Sequence, residues 1–162
     1  LPMKKLMLLF LACLTGMAAN AAGDPDFSYI VTKSGTIYCE NVTKGVFRFH
    51  AILYTGERVT FQIDSVLAYR KNERTFERMQ IYCHGNDIGN TAFMEVIACR
   101  DGFKLYRFKC SMPGSLEVTM PWLNDGTACC KLLVFKNNKY QYELDETNLK
   151  EVFIFFRLDL KA

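Results

Sequence analysis

The sequence predicts an α+β fold: a meander of antiparallel strands with one C-terminal helix packed on the sheet. Three observations predict it. Short runs of alternating apolar and polar residues recur along the chain, Gly- and Asn-centred turns separate them, and a 3.6-residue apolar period appears once, near the end. Either a partly closed barrel or a sandwich would house such strands.

The first hairpin signal pairs residues 27–33 with 36–42 around Ser34-Gly35. After Thr43-Lys44-Gly45 a strand is expected over 46–54, with Phe47, Phe49, Ala51 and Leu53 on one face. Thr55-Gly56-Glu57 turns the chain into 58–63. There Val59, Phe61 and Ile63 alternate with Arg58, Thr60 and Gln62, the period of a half-buried strand. Strands at 66–69 and 76–83 continue the meander. Residues 84–90 read as the clearest loop in the chain, and a sub-boundary, if there is one, falls at 84–91. Residues 93–99 fit a strand or a short helix equally well. Arg100-Asp101-Gly102 turns into a strand over 103–110. Leu116, Val118 and Met120 then alternate with Glu117 and Thr119 up to Pro121. A last hairpin joins 132–135 to 140–144 through Asn137-Asn138. In the expected helix Leu149, Val152, Phe153 and Phe156 form one apolar stripe, widened by Ile154 and Phe155, with Asp145 as N-cap and Glu146 in the first turn.

The N-terminus reads as a secretory leader over residues 1–22. Met3 precedes Lys4 and Lys5, residues 6–14 form an apolar run too short to span a bilayer, and Ala19-Asn20-Ala21 satisfies the small-residue rule for cleavage. A second reading acylates Cys13 and tethers the chain as a lipoprotein. No later stretch is apolar enough to span a membrane, so residues 23–162 are expected to form one β-rich domain, periplasmic or secreted. Loss of Lys4 and Lys5 turns 20 basic residues into 18, against 17 acidic ones. A nucleic-acid binder would carry a stronger bias, so none is expected as partner.

Six cysteines remain beyond the leader: Cys39, Cys83, Cys99, Cys110, Cys129 and Cys130. An even number in an exported chain suggests disulfides, in any of 15 connectivities. Each also lies in an apolar run, where free Cys behaves as a small hydrophobe. No C-x-x-C pair exists and Cys129 and Cys130 would face opposite ways on a strand, so no metal is expected.

Three segments carry a resemblance. The Ser34-Gly35 turn with Thr36-Ile37-Tyr38-Cys39, the run Gly102-Phe103-Lys104-Leu105-Tyr106, and the ending from Phe135 through Tyr140 and Asn148 to Phe153 together resemble a loose group of small exported proteins of unknown function from Gram-negative gut bacteria. The resemblance implies export and a β-rich fold. It implies no catalytic residues, and the six cysteines are not part of its pattern.

Catalytic motifs are thin. There is no G-x-S-x-G, H-E-x-x-H, P-loop or G-x-G-x-x-G. His50 shares a strand face with Arg48 and reads as a solvated rim residue. Asp101-Gly102 and Asp125-Gly126 are turn chemistry, and Asn41-Val42-Thr43 is a sequon without consequence in a bacterial export. The expected function is therefore a non-catalytic envelope or secreted module that binds a protein, glycan or peptide, with no cofactor. Its candidate contacts are Trp122, the only tryptophan, with Asn124 and Asp125 in the following turn, although Trp122 reads first as a plug folded back over one end of the sheet. The alternatives are a small enzyme built around Cys83, His84 and Asp87, and an adhesin or assembly subunit that pairs through an edge strand.

Overall fold

The computed structural model describes residues 27–83, 85–109 and 130–158. Residues 1–22, His84, Trp122, Asn124 and Asp125 lie outside the described residues, as does the strand expected before Pro121. Of Cys83 and Cys130 only the backbone is described.

The architecture is the expected one of antiparallel strands and a C-terminal helix. The strands are β1 (Ser28–Thr32), β2 (Gly35–Cys39), β3 (Asn41–Lys44), β4 (Arg48–Ile52), β5 (Arg58–Gln62), β6 (Val66–Lys71), β7 (Arg74–Cys83), β8 (Asn86–Arg100), β9 (Phe103–Lys109), β10 (Cys130–Lys136) and β11 (Lys139–Glu143), followed by α1 (Leu149–Phe156). Among the described residues eight strands form one sheet in the order β11-β10-β9-β8-β7-β6-β1-β2, and β3-β4-β5 form a second. Every pairing is antiparallel. The chain leaves the large sheet after β2, builds the small one, and returns through a 3-10 turn (Ile63–Ser65) to place β6 on the free side of β1.

Tight hairpins account for this connectivity. Asp101-Gly102 and Asn137-Asn138 hold positive φ at both positions, the backbone of a two-residue turn that matches strand twist. Gly102 has a second reason to be glycine, since a Cβ there would lie 2.9 Å from Asn137 Oδ1. Asn72-Glu73 makes the same turn with φ of 49° and 63°, a turn hidden in the sequence because Glu seldom adopts that conformation.

These expectations need correction or completion. Residues 86–91, read as part of a loop, are strand: Gln80 pairs with Thr91 and Cys83 with Asn86. Their side chains are exposed, so a polar composition and Gly89 suit a projecting ribbon as well as a loop. Residues 93–99 belong to β8 and are not helical. Phe47 does not share the buried face of Phe49 and Ala51; it precedes β4 in a loop and is 76% exposed. Ile154 does not widen the helix stripe. It is 64% exposed, because it lies about 100° around the helix from Phe153, away from Val152 and Phe156.

The large sheet curls. Tyr82 on β7 stacks on Tyr140 of β11 with ring centroids 4.1 Å apart, although three strands separate them in sheet order. In a flat sheet those strands would stand roughly 19 Å apart. Register shifts between Gln80 and Tyr82, Val96 and Ala98, and Val134 and Phe135 supply the bends. The concave side closes over Met79, Met94, Tyr106, Leu133 and Phe135. Among the described residues the barrel is not closed: β2 and β11 end the sheet. The opposite face is covered in two places. The small sheet packs Val42, Phe49 and Ala51 against Ile30, Val66 and Tyr69, and α1 packs Val152, Phe153 and Phe156 against Leu105, Leu132 and Val134. Among the described residues no helix is long and apolar enough to cross a membrane.

Candidate functional site

Between those two covers the sheet carries charge. Ile30, Tyr69, Phe76, Glu95, Arg107 and Leu132 are direct cross-strand neighbours, one row running across six strands. Its ends are apolar and buried under the small sheet and the helix, and its middle is an acid and a base. Directly paired residues on adjacent antiparallel strands point to the same side. Strand pairing therefore sets Glu95 and Arg107 in the gap that neither cover reaches.

Glu95 is forked by two arginines. Arg74 donates from Nε to Oε1 and from Nη2 to Oε2, both at 2.6 Å, and Arg107 donates from Nε and Nη2 to Oε2 at 2.8 and 2.5 Å. The side chains of Arg107 and Glu95 are about nine-tenths buried, while Arg74 reaches solvent. Burial alone would raise the Glu95 carboxyl, but the two guanidiniums outweigh it and hold the group below the usual carboxylate range. Burial pushes the neighbouring Tyr69 phenol up to about 12, with Arg74 opposing and Glu95 adding to the rise.

The gap is a cleft of about 470 Å³. Phe76 and Phe93 give it aromatic walls, and Lys44, Arg78 and Lys109 add to the cations of the floor. Arg78 holds one rim in place: its guanidinium donates to the carbonyls of Val66 and Ile63, approaches Asp64 at 3.8 Å and lies over the Phe93 ring. Five cationic side chains thus line the cleft against two carboxylates, Asp64 and Glu95. The concave face has its own ionic group, in which Lys104 and the Tyr106 hydroxyl both donate to Glu77, at 2.7 and 2.5 Å. Burial, then Glu77, raises the Tyr106 phenol, so it stays protonated and donates.

Of the site residues expected from sequence, only Asp87 has a described side chain. Its Oδ1 accepts from Gln80 Nε2 and from the Gly89 N–H, both at 2.7 Å, and these bonds, the Gln80 one foremost, lower its carboxyl. The carboxylate is spent on its own hairpin. Cys83 is placed by its backbone opposite Asn86; His84, Trp122, Asn124 and Asp125 lie outside the described residues. His50 is exposed, as expected, with Nδ1 3.2 Å from Thr60 Oγ1. Cys39 and Cys99 are free thiols, both raised chiefly by burial, the direction opposite to an activated nucleophile.

Sequence reasoning missed Arg74, Glu95 and Arg107. One signal was available: Glu95 sits inside the apolar run from Phe93 to Ala98, where a charge on a strand implies a buried partner. Comparison with known protein families, with curated proteins and with solved structures finds no match to this chain.

Proposed function

We propose that this protein is an exported binding module without catalytic chemistry of its own, and that its ionic cleft receives an anionic group of the ligand. Export rests on the Lys4-Lys5, apolar and Ala19-Asn20-Ala21 pattern and on the resemblance to small exported gut-bacterial proteins. The observation that carries the binding reading is the cross-strand row, which sets a cation-rich, aromatic-walled gap between two packed covers. Guanidiniums and ammoniums aimed into a partly desolvated cleft favour carboxylate, sulfate or phosphate. The same geometry speaks against acid–base catalysis there. Glu95 is kept ionised by two arginines, and both of its oxygens already accept from guanidiniums.

Such a ligand is a glycan, peptide or protein of the envelope or the extracellular space that presents negative charge. Polygalacturonate and poly-glutamate are suitable probes. Calorimetric titration at low ionic strength is expected to show binding that weakens steeply with added salt, and Arg74→Gln is expected to weaken it about tenfold. If neither probe binds at low salt, the cleft is a structural ion cluster and the reading fails.

A second reading, assembly through an edge strand, is favoured by one observation. Among the described residues β2 ends the large sheet, and Tyr38 on it forms an aromatic cluster with Tyr29 and Phe27, ring centroids 5.5 to 6.5 Å apart. An aromatic patch beside an open edge is the form a strand-adding partner would use.

A further inference from the structure

The loop between β3 and β4 carries Val46 and Phe47, which are 77% and 76% exposed, the highest values for large apolar side chains among the described residues. The loop's backbone is pinned. Gly45 N–H donates to the Arg48 carbonyl at 2.8 Å, and Ile63 N–H donates to the Phe47 carbonyl at 3.1 Å. A Cβ on Gly45 would lie 3.1 Å from that Arg48 carbonyl oxygen, so the turn is closed as tightly as a side chain would permit. Two apolar side chains are thereby held out into solvent at the tip of a hairpin.

Cations stand directly behind them. Lys44 ends β3 and Arg48 opens β4, both exposed, and the surface continues through His50 and Gln62. The hollow beside the tip is lined by residues 45–48 with His50 and Gln62, and none of these is acidic. The nearest carboxylate in sequence to that lining, Asp64, faces Arg78 on the cleft side.

We propose that this tip is a membrane-interface anchor, and that its partner is a lipid surface bearing anionic headgroups. Apolar side chains that project beyond two flanking cations, Lys44 on one face of the small sheet and Arg48 on the other, match the layering of a bilayer surface, with phosphates outside and acyl chains beneath. A protein partner fits less well, because a stable interface buries roughly 800 Å² on each side, whereas two side chains on a convex tip present a small fraction of that. The assignment is independent of the cleft, although Lys44 borders both.

The test is co-sedimentation with large unilamellar vesicles of phosphatidylglycerol and phosphatidylcholine at 1:1, beside vesicles of phosphatidylcholine alone. The protein is expected to partition to the anionic vesicles and not to the neutral ones. The double variant Val46→Ser/Phe47→Ser is expected to lower the partition at least about tenfold. It should keep the parent unfolding midpoint, since both side chains are in solvent. Arg74→Gln should partition like the parent, which separates the tip from the cleft. Absence of partition to anionic vesicles overturns the anchor, and so does a double variant that binds as well as the parent. Concentration-dependent self-association that Phe47→Ser abolishes, without vesicle binding, would assign the tip to a second copy and overturn it equally.

Discussion

At Glu95 two opposing effects act on one carboxyl. Burial disfavours its charge, and the forks of Arg74 and Arg107 favour it more strongly. A carboxyl held low in the folded state contributes stability above its unfolded pKa of about 4.3, and that contribution is lost as pH falls through the lower folded value. Glu95→Gln keeps the volume but leaves Arg107 buried beside a neutral amide. The expected cost at pH 7 is on the order of 3 kcal/mol, the low end for breaking a buried ion pair because Arg74 is partly exposed. Urea unfolding at pH 7 and pH 3 checks this. The gap between parent and variant should shrink as the parent's own carboxylate is protonated, and a gap independent of pH would mean the charge contributes nothing. Residues such as Glu95 resist sequence reading for a physical reason. Strand alternation assigns charge to solvent, and an inward ion is legible only if the register of its neighbours is already known.

Elements were more legible than residues wherever one face is buried and the other wet. β5 alternates through Val59 and Phe61 as expected, and the last hairpin turns at Asn137-Asn138. The strand readings that failed lie at element ends, where period gives no boundary: Phe47 one residue outside β4, and residues 86–91 in a ribbon that is wet on both sides. The helix shows both outcomes. The expected N-cap is displaced: Asn148 takes the N-cap position, and Asp145 instead accepts from the N–H groups of Thr147 and Asn148 at 2.9 and 3.1 Å in the turn that leads into α1. Phe153 is fully buried against Leu105, Leu132 and Val134, while its neighbour Ile154 faces solvent. Phe153→Ala is expected to cost roughly 3–5 kcal/mol, and Ile154→Ala to stay within about 0.5 kcal/mol of the parent. Denaturant midpoints of the two variants read the difference. Equal shifts would show that α1 is not seated by this stripe.

At the scale of the whole molecule, the property that organises the site is the one least visible in the sequence. Local hairpins account for most strand neighbours, so a meander could be read from turn residues alone. Nothing local specifies that β6 returns to β1, or that β7 approaches β11 across three intervening strands. Those contacts follow from accumulated bulges and from apolar side chains finding one another on the concave side. The Tyr82–Tyr140 stack measures that curl directly, because the two residues are far apart in sequence and meet only if the sheet bends. Tyr82 and Tyr140 also both meet Phe135, at 6.0 and 5.8 Å, so single substitutions mix several contacts. A double-mutant cycle isolates the pair. With Tyr82→Ala, Tyr140→Ala and the double variant, the coupling energy is expected at about 0.5–1.5 kcal/mol, the range for a stacked aromatic pair beyond its buried area. A coupling below about 0.3 kcal/mol, within the additivity of distant sites, would mean that the sheet is open in solution. The cleft on its opposite face would then lose the curvature that sets its width.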